Sequence, residues 1–421
     1  MQGRAMVALA IGAGTCLIFA HPLWAQETVD RVTLEEALTL FAKNNLQLQI
    51  ARADARTGVN LARQAAAYPN PAVSVTHETL GGVPEYSETY LNLSQSVEWP
   101  WLSGARRREA SRMRDALEAR VAADSVRLVF EVKRAFLEAA AAERTRDALE
   151  EATALVRHAE SQAMARAAGG DISEYELLRL QVERARHEVE LAAIVLALGA
   201  SRRTLTSLIT PDSLRKLAPV RLPEEDPPHM ALLDALAAAT AHRPELLEAA
   251  SLTAAAQGAS SVARAERLPV PTLTAGYKDQ SDGRTGAFLG VALSLPLFNR
   301  NGANVAASEA AVQSAQARHR LILREIQDDV RRAYDAYVAA RERVNLLHTN
   351  LIADTDALLR IGRVAYEEGE MTLVELFDAV DAFRVAHVLA TDTVADLWIG
   401  YYNLERAVGT PLHAWSTEEV R

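Results

Sequence analysis

Glu375 and Asp378 stand three residues apart in TLVELFDAVDAF, residues 372–383. In a helix that spacing puts both carboxylates on one face. Two such acids attract cations and repel anions, yet charge alone favours a solvated helix surface over a binding face. His77 and Glu78 adjoin in AYPNPAVSVTHETL, residues 67–80. Adjacent side chains of a strand point to opposite faces, so these two do not form a joint catalytic pair. The ten histidines are scattered, with no HExxH and no Cys/His cluster. There is no Walker loop, no GxSxG and no GxGxxG behind a strand. The sequence therefore offers no catalytic residue, no metal site and no cofactor, and the expectation is that the protein is not an enzyme.

The elements that must carry these residues are mostly helical. About half of the 421 residues are apolar, enough for a large core, and 20 Gly with 15 Pro is a low count. Alanine, arginine, glutamate and leucine dominate, which favours helix. The net charge is -10 with no basic tail or stripe, which argues against nucleic acid and against an anionic membrane surface. Residues 1–25 read as a cleavable export signal: Arg4, an apolar run from Met6 to Ala20, then Leu23-Trp24-Ala25. Cys16 could serve as a lipoprotein anchor, but Thr15 stands before it where a small residue is expected. Cleavage after Ala25 would leave a mature chain without cysteine. No later segment has 18 uncharged apolar residues in succession, so no helix is expected to cross a bilayer.

The remainder reads as two copies of one plan. Pro69 and Pro71 recur as Pro269 and Pro271 in RLPVPTLTAGYKDQ, residues 267–280. YLNLSQSVEWPWLSG (90–104) resembles FLGVALSLPLFNRNG (288–302), with an alternating strand ending at Pro100 or Pro296. GGDISEYELL (169–178) resembles EGEMTLVELF (368–377), with Gly170 matching Gly369 and Glu176 matching Glu375. The offset stays near 200 residues across three landmarks, which is the mark of a duplication. A first repeat then covers 26–210 and a second 231–412, with a Pro-rich linker at 211–230 and a tail at 413–421. Helices are expected at about 33–67, 105–166 and 172–209 in the first copy. Met113, Leu117, Val121, Leu128, Val132 and Phe136 form a helical stripe; Ile326, Val330, Tyr334, Tyr337, Val344 and Leu351 form its counterpart. Roughly sixty residues of helix span on the order of 90 Å, so such helices must pack lengthwise as in coiled coils.

Four strands are expected at about 72–80, 88–98, 271–279 and 286–296. Their length and alternation suit membrane strands of about 9–11 residues, and they suit a small soluble sandwich as well. Four strands cannot close a barrel, and an open edge cannot sit in lipid. A membrane role therefore requires several chains to pool their strands.

The export signal, the duplicated helix–strand–strand–helix–helix halves and the proline-flanked strands resemble the TolC-type outer-membrane efflux family over about residues 30–410. The resemblance implies a mainly α fold with a small β part. It implies a homotrimer whose twelve strands form one outer-membrane barrel, continued by a long periplasmic coiled-coil barrel. It makes Arg166, Gly169, Gly170 and Asp171, with Gly369, Glu370 and Met371, the hairpin tips where a periplasmic adaptor docks. Glu375 and Asp378 become the acidic ring of the closed entrance, and Tyr366 matches the tip tyrosine; Met371 stands where a basic gate residue is usual. Pro69, Pro71, Pro100, Pro269, Pro271 and Pro296 mark the strand–helix junctions. Gln95 and EWPWLSGARRREA (98–110) resemble the heavy-metal cation branch, whose ducts serve proton-driven inner-membrane pumps of the RND type. A multidrug or type I secretion duct is the alternative cargo reading, and a soluble periplasmic coiled-coil adaptor or scaffold the alternative class.

Overall fold

A computed structural model describes residues 30–82, 85–170, 172–212, 215, 217–223, 226–347 and 350–412. The export-signal reading, Cys16, Asp171 and the tail at 413–421 lie outside the described residues. The chain begins with β1 (Asp30–Val32), α1 (Leu34–Asn44) and α2 (Leu46–Ala65), followed by the hairpin β2 (Ala72–Leu80) and β3 (Tyr86–Ser96). Two long helices follow, α3 (Pro100–Gly169) and α4 (Glu174–Ile209). After β4 (Leu217–Pro219) come α5 (Leu232–His242), α6 (Pro244–Ala265), β5 (Pro271–Gln280) and β6 (Thr285–Leu293). The chain closes with α7 (Gly302–Leu346), α8 (Leu351–Glu367) and α9 (Leu373–Val408).

Three helix boundaries differ from the sequence expectation, each for a local reason. The helix expected over 33–67 is broken at Asn45, whose backbone is extended (φ -63°, ψ 121°). The Asn45 side chain accepts from the Leu48 amide at 2.8 Å and donates to the Leu208 carbonyl at 2.7 Å, so it caps α2 and ties it to α4. The helix expected from 105 starts at Pro100, whose missing N–H costs nothing in the first turn. The second apolar stripe was read through to Leu351, but α7 ends at Leu346 with Leu347 extended (φ -65°, ψ 120°), and helix resumes at Leu351. In addition, α4 is long and apolar enough to cross a membrane by length and composition, which counting uninterrupted apolar runs had not revealed. Its C-terminal part is tied into protein: Arg202 pairs with the buried Glu143 at 3.1 Å, and Leu205 and Ile209 are fully buried.

The helices pack in a continuous line of small cores. Phe41 and Leu48 meet Leu128, Val132, Phe136 and Ile209 around the short parallel pair β1–β4. Tyr337, Val330 and Ala333 meet Tyr401, Leu404 and Ala239 in a second core. Gly400 lets α9 approach α7 so closely that an added Cβ would lie 3.3 Å from the Tyr337 Cα. Charged groups enter these cores only in pairs. Lys133 meets Glu405, with its ammonium 4.3 Å from the centre of the Tyr402 ring. Asp329 accepts two bonds from Arg406, at 2.9 and 3.1 Å, and one from the buried Arg243 at 3.0 Å. Burial alone would push the Asp329 carboxyl up, but Arg406 and then Arg243 outweigh it and hold it below the usual range.

The sheet stands apart from this body. Its order is β2-β3-β5-β6, antiparallel throughout, with β2 and β6 at the two edges. Every residue of β2 and β6 is exposed. One face carries Val73, Val75, Leu91, Leu93, Leu273, Tyr277, Leu289 and Val291, with Leu289 89% exposed. The other carries Ser74, Thr76, Glu78, Glu88, Asn92, Thr274 and Lys278. Among the described residues no element is layered on either face, so the soluble sandwich is not what these strands build.

Truncating Asp329 to Ala strands two partly buried guanidinium groups and should cost about 3 kcal/mol. The expected outcome is a clear fall in the Tm of the purified protein.

Candidate functional site

Two regions concentrate the residues singled out in the sequence: the helical hairpin tips and the junctions where helices give way to strands. At the first tip α3 ends on the exposed Gly169, and Gly170 adopts the left-handed conformation (φ 81°, ψ 13°). Its N–H returns to the Ala167 carbonyl at 3.0 Å. At the second tip Gly369 is left-handed (φ 74°), and the Glu370 and Met371 amides both donate to the Ala365 carbonyl, at 2.8 and 3.2 Å. Only glycine takes these angles without steric cost, so the turn itself explains both glycines.

Both outgoing helices open with the same device. The Ser173 hydroxyl accepts from the Glu176 amide at 3.3 Å while Glu176 accepts from the Ser173 amide at 3.2 Å. The Thr372 hydroxyl accepts from the Glu375 amide at 3.4 Å, and Glu375 accepts from the Thr372 amide at 2.8 Å and from its hydroxyl at 2.7 Å. These are capping boxes. The hydroxyl bond and then the amide bond from Thr372 hold the Glu375 carboxyl below the usual carboxylate range. Of the two acids in the second hairpin, Glu375 is thus committed to its own helix start. Asp378 is exposed one turn on, between the buried pairs Leu376–Phe377 and Ala379–Val380.

A shared core welds the two tips together. Val156, Ala159 and Ala163 of α3 meet Leu180 of α4, Leu359 of α8, and Leu376, Phe377, Val380 and Phe383 of α9. Tyr366 and Met371 pack at its margin. Burial raises the Tyr366 hydroxyl pKa, and the Arg166 charge partly offsets this, so those two predicted tip residues are neighbours across the hairpins. Met371 fills space beside Gly362, where its sulfur would lie 3.6 Å from an added Cβ. It acts there as packing.

Ion pairs that the sequence reading missed hold the hairpins together above the tips. Arg186 of α4 reaches Asp381 of α9 at 3.2 Å, and Arg384 of α9 reaches Glu190 of α4 at 2.8 Å. His187 lies beneath them, 3% exposed, with no hydrogen-bond partner for its Nδ1. Its pKa is lowered, first by burial and further by the Arg186 and Arg384 charges; Asp381 and Glu190 oppose the shift. The charges themselves were visible in the sequence, but not which helices they join.

At the junctions, the prolines sit among cross-links. The Gln95 amide donates to the Pro69 carbonyl at 2.9 Å, and the Val97 amide to the Pro271 carbonyl at 2.8 Å. The Trp99 indole donates to the Pro269 carbonyl at 3.0 Å and stacks on Trp101 with centroids 5.0 Å apart. Glu98 is buried, accepts from Arg106, and through Arg106 is linked to Glu266 of the second half at 3.4 Å. Pro71 precedes β2, Pro100 opens α3, and Pro296 lies in the connection from β6 to α7. The Gln95–Glu98–Arg106 pattern therefore has an architectural role: it fastens the exit of one strand pair to the entry of the other. Among the described residues no three His, Cys, Asp or Glu are grouped to hold a metal ion.

This architecture has known counterparts. Residues 235–409 match the model of the family described as outer membrane efflux protein. The resemblance is to outer-membrane efflux proteins. The cobalt-zinc-cadmium resistance protein CzcC of Cupriavidus metallidurans is 25% identical over 409 residues, 94% of each chain. The solved Campylobacter jejuni CmeC outer membrane channel superposes with a TM-score of 0.77 at 16% identity, over 96% of this chain and 94% of that one. CusC superposes with a TM-score of 0.70 at 18% identity, over 91% and 94%. The outer-membrane efflux fold accounts for the mostly helical body with its small projecting sheet.

Two outcomes are expected. Thr372→Ala removes one half of the capping box and should cost about 1 kcal/mol locally. That corresponds to roughly fivefold faster hydrogen exchange at the first amides of α9. His187 should report on acid stability. The unfolded ring protonates near 6.5, the folded ring only at lower pH. Stability is full above that value and falls as pH drops through it towards the folded pKa. In His187→Gln the acid-side loss of Tm should shrink.

Proposed function

We propose that this protein is the outer-membrane exit duct of a tripartite efflux system, carrying heavy-metal cations across the outer membrane of a Gram-negative cell. The observation that carries the reading is the four-stranded sheet, with one apolar face exposed and both edges unpaired within the chain. Such a sheet is stable in lipid only when its edges are closed. Three identical chains would supply twelve strands and a single barrel, with the helices continuing as a periplasmic tunnel. The matching tips and paired strand hairpins support a duplicated origin for the two halves.

In this reading the duct is passive, and the energy comes from a proton-driven inner-membrane pump acting through a periplasmic adaptor. The adaptor docks at Arg166, Gly169, Gly170, Asp171, Gly369, Glu370 and Met371. Glu375 and Asp378 line the periplasmic entrance near Tyr366, giving six carboxylates in a trimer that favour cations over anions. Cargo is assigned from the likeness to a cobalt-zinc-cadmium resistance protein along nearly the whole chain. The likeness to CmeC keeps the multidrug or secretion duct as the second cargo reading.

The test is a deletion strain grown on graded cobalt, zinc, cadmium, copper and silver, with fractionation of the tagged protein. The expected outcome is recovery with outer membranes and sensitivity to at least one divalent metal. Unchanged metal tolerance with new sensitivity to dyes or drugs would move the cargo to the second reading. Recovery as a detergent-free soluble protein would overturn the duct and favour a periplasmic scaffold.

A further inference from the structure

On the polar face of the sheet four donors converge on one carboxylate. Glu88 of β3 accepts from the Tyr86 hydroxyl at 2.7 Å and from the Tyr90 hydroxyl. It also accepts from the Gln280 amide at 2.7 Å and pairs with the Lys278 ammonium at 2.9 Å. The register explains the convergence: Glu88 lies opposite Gln280, and Tyr90 opposite Lys278, so all five side chains share one face. The Lys278 ammonium also stands 5.2 Å from the centre of the Tyr90 ring. A carboxylate has about four lone-pair directions. Those of Glu88 are taken, and its charge is balanced.

Glu78 is its counterpart in every respect except this one. It lies directly opposite Glu88 in the β2–β3 register and on the same face. It is exposed, near the end of β2 away from the helices, and among the described residues it has no ion-pair partner. The charged strand residues of this face are Glu78, Glu88 and Lys278. The opposite face is the apolar one, so in a closed barrel these three groups look into the lumen.

We infer that Glu78 sets the charge preference of the lumen near its outer mouth, while the Lys278-bound Glu88 is withdrawn from passing ions and serves to lock the first strand pair to the second. This rests on the duct reading above and assigns that duct a second, outer point of cation preference. Three copies of one unbalanced carboxylate act on a water-filled passage over a Debye length. That length is about 30 Å at 0.01 M salt and about 3 Å at 1 M. The preference is therefore a low-salt property that high salt abolishes.

The test is planar-bilayer recording of the full-length protein across a potassium chloride gradient. Glu78→Gln is expected to lower the potassium-to-chloride permeability ratio roughly twofold or more at low salt, and Glu78→Lys to lower it further. Both effects should vanish at about 1 M. The double variant Glu88→Gln with Lys278→Gln removes one balanced pair and should keep the wild-type ratio, with a lower Tm. A normal conductance with an unchanged ratio in both Glu78 variants would overturn the inference and leave the duct standing. So would a shift in the double variant as large as that of Glu78→Gln. A wild-type protein that inserts but passes no current would overturn the duct reading, and the inference with it.

Discussion

A backbone amide or carbonyl at the rim of a sheet needs a partner, and β2 and β6 are each paired on one side only. This constraint governs the rest of the molecule. In water such rims invite uncontrolled pairing, and in lipid they are untenable. The chain adds a face of valine and leucine that water does not favour. The sheet can be satisfied only by further strands at both edges with hydrocarbon outside. The helices must then hold the two hairpins in register so that incoming strands meet matched edges. The junction cross-links do this: Trp99 to Pro269, Val97 to Pro271, and Glu98 through Arg106 to Glu266 each fix one strand pair against the other.

The opposite end solves a different problem with similar economy. Each hairpin must reverse direction in a few residues without leaving helix ends unsatisfied. A left-handed glycine closes the incoming helix and a capping box opens the outgoing one, twice over. Glu375 shows the limit of reading charge as function. Its position suits an acidic ring, yet its oxygens are bound to Thr372, while Asp378 keeps an exposed carboxylate. The tips are held to one another by apolar packing and, above it, by charge pairs across α4 and α9 around the buried His187.

The sequence made the mainly helical fold and small sheet legible, because alternation and prolines are local signals. Pro71 and Pro271 stand at the strand starts, and the alternation of Val73 and Val75 with Ser74 and Thr76 matches the two faces. What stayed hidden depends on distant partners. Asn45 breaks a helix because it can cap α2 while bonding Leu208, 163 residues away. The linker residues Leu217–Pro219 form a strand because they meet Asp30–Val32. The pattern at Gln95, Glu98 and Arg106, read as a mark of cargo, was a set of anchors whose partners Pro69 and Glu266 no local pattern could name. At the tips the glycines were readable, but the reach of Arg186 and Arg384 between hairpins was not.

The two long routes from tip to sheet are mechanically unequal. One is α3, helical without interruption for 70 residues, roughly 105 Å of stiff rod from Gly169 to Pro100. The other is divided, since α7 stops at Leu346 and α8 starts at Leu351. A torque applied at the first tip is delivered whole to the base of the strands. The same torque at the second tip can be absorbed at the joint, so the segment bearing Asp378 can swivel while the barrel above it stays still.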